Sequence, residues 1–124
     1  MQFDVVTKAQ HYNTHPSGIE AKHILRWLNF NVGNALKYVM RRHGKEYERS
    51  LKSSEFYLKD QMEYGATVVL GPEFFTLLGA YIDHEPEPLA KTFYQRLLDY
   101  TIHPVAAKMD ETIDALTELR LSGR

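Results

Sequence analysis

The sequence predicts an all-α fold, a small bundle of about six helices, and three observations carry that expectation. Apolar residues recur at spacings of three and four, as in Leu89, Phe93, Leu97 and Tyr100. Helix-starting residues stand where such runs begin, with Ser17 and Asn29 as caps and Pro72 as a first position. Helix-stopping residues stand where they end, at Gly44, Gly65 and the His103-Pro104 pair. At 124 residues, without internal repeats or low-complexity segments, 1–124 reads as a single domain.

The elements follow in order. Residues 1–10, anchored by Phe3, Val5 and Val6, read as an extended arm or one edge strand. Residues 11–16 read as a loop, because Asn13 favours turns and Pro16 biases His15 away from helical geometry. Ser17 and Glu20 have the spacing of a capping box, so a first helix should run to about Leu28. Asn29 caps a second helix over 30–42, with Val32, Leu36, Val39 and Met40 as its core stripe and Arg41, Arg42 and His43 in its last turn. A third helix spans 46–64, burying Leu51, Leu58 and Met62. Residues 66–71 contain Val68-Val69 and are ambiguous. A fourth helix over 73–82 has almost no polar face, which makes it either central to the fold or part of a subunit interface. Residues 83–88 are the clearest linker, followed by helices on either side of His103-Pro104. Within this frame, 11–64 is the motif-bearing core and 72–122 supplies C-terminal helices for packing and oligomerisation.

Composition excludes several classes. Lys+Arg and Asp+Glu number 15 and 16, a net charge of −1, which disfavours sequence-independent binding to a nucleic-acid backbone. There is no cysteine, hence no disulfide, thiolate catalysis or Cys-based metal site. No apolar run approaches the roughly 18–20 residues that span a bilayer, so no membrane association is expected. Asp4 and Lys8 interrupt any signal-peptide apolar region, so a cytoplasmic location is expected.

Asn34, Lys37, Tyr38 and Arg41 stand at i, i+3, i+4 and i+7, so a helix brings them to one face. Arg supplies a planar fork for phosphate oxygens, Lys a point charge, Asn a donor–acceptor pair, and Tyr a ring to stack on a base. The plainer alternative is a solvated basic face with a half-buried Tyr. His11 and His15 flank a loop leading into a helix N-terminus, where the amides of Ser17, Gly18 and Ile19 should point outwards and favour anions. Against that, Ser17 and Glu20 are equally well explained as a helix capping itself. Lys45 and Lys52 extend the basic theme, and Lys52 reaches the same ligand if the second and third helices pack antiparallel. His11, His15, Glu20 and His23 invite a metal reading, but their spacing matches no strong zinc pattern and no resident metal is expected. The acidic residues of 83–87 and of the last helix (Asp110, Glu111, Asp114, Glu118) read as solvent-facing. Phosphate-binding glycine loops and serine nucleophile elbows are absent.

The series His11-Tyr12-Asn13, Pro16, Gly18-Ile19-Glu20, Phe30, Gly33-Asn34-Ala35, Lys37-Tyr38, Arg41, Gly44-Lys45, Leu51-Lys52 and Tyr57-Leu58 resembles a bacteriophage family of unknown function, often labelled a phage nucleotide kinase. The hallmark is a His-Tyr start, a Gly-Ile-Glu, a Gly-Asn-Ala-x-Lys-Tyr-x-x-Arg helix and a Lys-Ala-x-x-Tyr-Leu helix. The likeness is confined to residues 11–58, and Ser53-Ser54 stand where Lys-Ala is usual. The label implies a nucleoside monophosphate kinase without a phosphate-binding loop. Such an enzyme would use magnesium and ATP, and Glu20 is its one obvious candidate acid near the motif. The shortage of catalytic groups favours instead a binder that holds a nucleotide or nucleotide-derived signal, such as a cyclic nucleotide or an ADP-ribose derivative. In a host cytoplasm that binder would act as an anti-defence sponge. The expected contacts are phosphates on Lys37, Arg41 and the amides near Gly18, a base on Tyr12 or Tyr38, and orientation by His11, His15 and Asn34. The apolar fourth helix argues for a homo-oligomer.

Overall fold

The computed structural model describes residues 15–44, 46–65 and 67–123, so the expected arm over 1–10, together with His11, Tyr12, Asn13 and Lys45, lies outside the described residues. The described residues form six helices: α1 Ala21–Leu25, α2 Phe30–Met40, α3 Tyr47–Tyr64, α4 Glu73–Asp83, α5 Pro88–Ile102 and α6 Ala106–Ser122. The all-α expectation holds. α2 packs on α3 and α5 on α6, α3 and α6 join these two pairs, and α4 bridges α1 and α5. No helix among the described residues is long and apolar enough to cross a membrane.

α1 is shorter than its sequence signals. Ser17 and Glu20 do not form a capping box: the Ser17 hydroxyl accepts from the Ile19 amide (3.1 Å) and pairs with His15, while Glu20 makes no side-chain cap. The helix stops at Leu25 because the next residues pair elsewhere. The Asn29 amide donates to Val68 O (2.9 Å), the Leu70 amide donates to Trp27 O (2.7 Å), and Leu28 and Val69 form an antiparallel bridge. Thus 67–70, ambiguous in sequence, is a strap that ends α1.

Asn29 caps α2 as expected, its Oδ1 accepting from the Val32 amide at 2.9 Å. Val32, Ala35, Leu36 and Val39 form the buried stripe of α2. It meets Leu51, Ser54, Leu58 and Gln61 of α3, with the Ser54 hydroxyl donating to Ala35 O at 2.8 Å. Met62 lies on the exposed side instead. α3 ends at Gly65, whose φ of +50° disfavours a side chain.

α4 buries Phe74, Leu78, Tyr81 and Ile82 within this chain and turns Glu73, Phe75 and Thr76 outwards. Among the described residues the most exposed aromatic rings are Phe30 on α2 and Tyr64 and Phe56 on α3. Phe93, Tyr94 and Leu97 of α5 and Met109, Leu116 and Leu119 of α6 complete the core.

Candidate functional site

Three segments distant in sequence converge on one cavity of about 370 Å³: the loop at His15 and Pro16, the end of α2 over 40–44, and the α4–α5 connection at Glu85, Pro86 and Glu87. Tyr81 of α4 and Ala21 of α1 complete the lining. The volume falls within the about 300–1,000 Å³ of small-molecule sites.

The His15 loop is a four-residue turn, closed by the Gly18 amide donating to His15 O at 2.9 Å, with Gly18 at φ +75°. The His15 ring lies flat on Tyr81, centroids 3.5 Å apart and planes 9° from parallel. The Ser17 amide points at His15 Nδ1 (3.2 Å), which makes Nδ1 an acceptor and leaves Nε2–H to donate to Glu85 Oε1 at 3.1 Å. Burial lowers the proton affinity of this ring, and Arg42 adds to that effect against the opposing pull of Glu85. His15 is therefore a neutral, fixed edge of the cavity.

Arg42 is the hub. Its backbone leaves the end of α2 and its side chain, 4% exposed, turns inwards. A guanidinium has five N–H donors, and each has a protein partner here. Nη1 donates to Val39 O (2.9 Å) and the Tyr94 hydroxyl (3.1 Å), Nη2 to Glu85 Oε2 (3.3 Å) and Glu87 Oε1, and Nε to Glu87 Oε1 at 3.0 Å. The Glu87 amide donates to Glu85 Oε2 (3.0 Å), and His43 Nε2 meets Glu87 Oε1 at 3.1 Å. Burial alone would raise the pKa of Glu87, but Arg42 and His43 outweigh it and hold the carboxyl below its usual range. Burial pushes Tyr81 up to about 12 and Tyr94 well above its ordinary value, so both phenols stay neutral. Saturated with protein acceptors, Arg42 positions the two carboxylates and has no donor left for a ligand. Arg41 and His43 are exposed and also line the cavity, His43 with its Nε2 on Glu87 Oε1.

Of the residues singled out from the sequence, His15 and Arg41 reach this cavity. Ser17 and Gly18 shape its loop without lining it. The Ser17, Gly18 and Ile19 amides, expected to point outwards, are spent on His15 Nδ1, His15 O and Ser17 Oγ. Asn34, Lys37 and Tyr38 lie off the cavity. Asn34 Nδ2 donates to Phe30 O in its own helix (2.9 Å), Lys37 Nζ sits 5.1 Å from the Tyr38 ring centroid, and Tyr38 stacks on Tyr57 of α3 at 6.1 Å. Lys52 pairs with Glu48 (3.7 Å) and lines a separate open groove with Arg49, Ser53 and Phe56. Glu20 pairs with Lys22 at 3.7 Å and is not in the lining. Among the described residues no three His, Asp or Glu side chains are grouped as metal ligands.

Sequence reasoning missed Arg42, His43, Tyr81, Glu85 and Glu87 as parts of a site. Arg42 and His43 looked like ordinary helix-end cations. Glu85 and Glu87 looked solvated, yet Glu85 is 8% exposed and Glu87 half-buried. One signal was available: Glu85-Pro86-Glu87-Pro88 is stiff, because each proline fixes its own φ and restricts the residue before it. A stiff segment can present two carboxylates at set positions. Comparison with protein-family models, with curated proteins and with solved structures finds no match.

Proposed function

We propose that this chain is a phage-type binding protein that holds a nucleotide or nucleotide-derived signalling molecule, such as a cyclic nucleotide or an ADP-ribose derivative, and so sequesters it. The observation that supports this best is the cavity of about 370 Å³, lined by Arg41 and His43 beside the hydrogen-bonded network of Arg42, Glu85 and Glu87. Groups already locked in place lose little freedom on binding, which favours affinity without a chemical step. A phosphate would sit at Arg41 and His43, with the rest of the molecule extending towards the His15–Tyr81 stack.

The test is incubation of purified protein with ribo- and deoxynucleoside monophosphates plus ATP and magnesium, and with cyclic and ADP-ribose-type nucleotides, each followed by chromatography before and after heat denaturation. A ligand that disappears and returns unchanged on heating is the expected result. Conversion of a monophosphate to a diphosphate would replace this reading with the kinase. Arg41→Ala should weaken binding by at least about 1.5 kcal/mol, the loss of a charged hydrogen bond, as read by calorimetry. Unchanged affinity would remove Arg41 from the site.

A further inference from the structure

We infer that the 15–18 turn is an acid-operated flap on the cavity, latched through the His15 ring and released when His15 Nδ1 takes a proton. The flap is a property of the cavity wall and needs no ligand, so it stands apart from the nucleotide-binding reading.

The latch is one side chain. Within the turn the hydrogen bonds are local: the Gly18 amide closes on His15 O, and the Ile19 amide donates to Ser17 Oγ at 3.1 Å. Among the described residues, the hydrogen bond and the ring contact that tie 15–18 to the body of the protein both belong to His15. Its Nε2–H donates to Glu85 Oε1 at 3.1 Å, and its face lies on Tyr81. Pro16 and Gly18 are exposed, and a Cβ added at Gly18 would meet nothing within 4 Å, so the outer side of the turn is open. Ile19, packed against the core, is where the flap would hinge. Because His15 and Pro16 line the cavity, moving them removes one wall.

Both ring nitrogens are committed in the neutral form. Nδ1 accepts from the Ser17 amide (3.2 Å) and lies 2.8 Å from Ser17 Oγ. A charged imidazole has two donors and no acceptor, so a proton on Nδ1 sets one N–H against another at the Ser17 amide. Ser17 Oγ could receive that proton only by turning its own hydroxyl away while still accepting from Ile19. The titratable and charged groups around the ring are Tyr81 and His84 at α4, Glu85 and Glu87 of the α4–α5 connection, and Arg41, Arg42 and His43 at the end of α2. From α1 the lining residue is the uncharged Ala21. Burial, the largest effect, works against a charged ring, and Arg42 adds to it. Glu85 and the Tyr81 face favour the cation, but Glu85 Oε2 is already shared by Arg42 Nη2 and the Glu87 amide. The latched ring therefore holds a proton more weakly than the ordinary 6.5, which a ring released into water regains. Linkage fixes the sign: as pH falls below 6.5, protons favour the released flap.

The experiment is an NMR titration of the full chain from about pH 8 to about pH 5, across the ordinary imidazole range. It follows each histidine ring, the cross-peaks between the His15 and Tyr81 rings, and the amides of Ser17, Gly18 and Ile19, with the Leu119 amide of α6 as reference. The His15 ring should charge with a midpoint below 6.5, and the cross-peaks to Tyr81 should fade with that same midpoint. The three turn amides should shift with it while Leu119 stays unmoved. Between the latched and released midpoints the released fraction should grow by up to about tenfold for each pH unit. A His15 ring that charges with its cross-peaks intact overturns the inference, since the proton is then held in place. A ring that stays neutral across the range overturns it as well. Loss of the contact at the midpoint of His43 or His84 assigns the trigger to that ring and overturns it. Loss that coincides with a shift at Leu119 is general unfolding and overturns it too.

Discussion

Arg42 shows how a single side chain can order the lining of a cavity. Its five donors all end on protein acceptors, and two of those acceptors are carboxylates that would otherwise repel each other. Arg42→Met should therefore cost about 3–5 kcal/mol, the penalty for leaving buried charge uncompensated, as measured by urea denaturation. Arg42→Lys should recover little of it, because an ammonium cannot reproduce the planar fork. His15 gives a pH signature at the same scale. Burial holds its folded proton affinity below the ordinary 6.5, so just below that pH the unfolded chain binds more protons. Stability should rise with pH through that window and level off above about 6.5. Glu87 acts in the same direction lower down: its contribution is present above 4.5 and lost as pH falls through its depressed folded value. Tyr81 reverses the slope at the alkaline end. Between 10 and about 12 the unfolded phenol ionises first, so stability should fall as pH rises. Urea midpoints across pH would resolve these slopes, and the slope just below 6.5 should flatten in His15→Asn. A slope unchanged by that substitution would belong to a different group.

At the scale of elements, Asn29 serves two neighbours at once. Its Oδ1 caps α2, and its Nδ2 donates to Gln61 Oε1 of α3 (3.0 Å) and to Thr67 O of the strap (2.9 Å). Asn29→Ala should cost more than the about 1 kcal/mol of a cap alone. Asn29→Asp should keep the cap and lose the two donations, so denaturation of both variants separates the roles. Equal losses would mean that the cap carries no weight. Asn29 also marks what was legible in the sequence. Its role at α2, the Pro72 start of α4 and the Gly65 stop of α3 all follow from signals within a few residues of each element. The shortness of α1 did not, because the strap that ends it pairs Leu28 with Val69, far along the chain. The capping box at Ser17 failed for a related reason: the hydroxyl it needed is engaged with His15, itself held by Glu85. The site was the least legible part. Helical spacing correctly picks out residues that share a face, but Arg42 meets Glu85 and Glu87 only after the chain has folded back through α3 and α4.

For the molecule as a whole, the cavity and much of the core lie apart. Leu119 of α6 is buried but is absent from the cavity lining, and α6 is anchored to α3 by the Tyr47 hydroxyl on Leu119 O (2.9 Å) and by Arg120 with Glu48 (3.0 Å). Tyr94 of α5 is equally buried, yet its hydroxyl accepts from the hub, Arg42. The two residues should separate stability from function. Leu119→Ala should lower stability by about 2–5 kcal/mol through the cavity it leaves. In the remaining folded molecules, affinity for the nucleotide proposed above should be unchanged. Tyr94→Phe should cost less, about 1–3 kcal/mol for a buried donor left without its partner, but it frees one arm of Arg42 and so loosens the carboxylates that frame the rim. Its affinity should fall although its ring still fills the core. Thermal melts with and without ligand read both effects, since ligand at about 100 times its Kd should add about 2.7 kcal/mol to the folded state. That increment should survive in Leu119→Ala and shrink in Tyr94→Phe. Loss of the increment in both variants would mean that the site depends on global packing and that the Arg42 network does not isolate it.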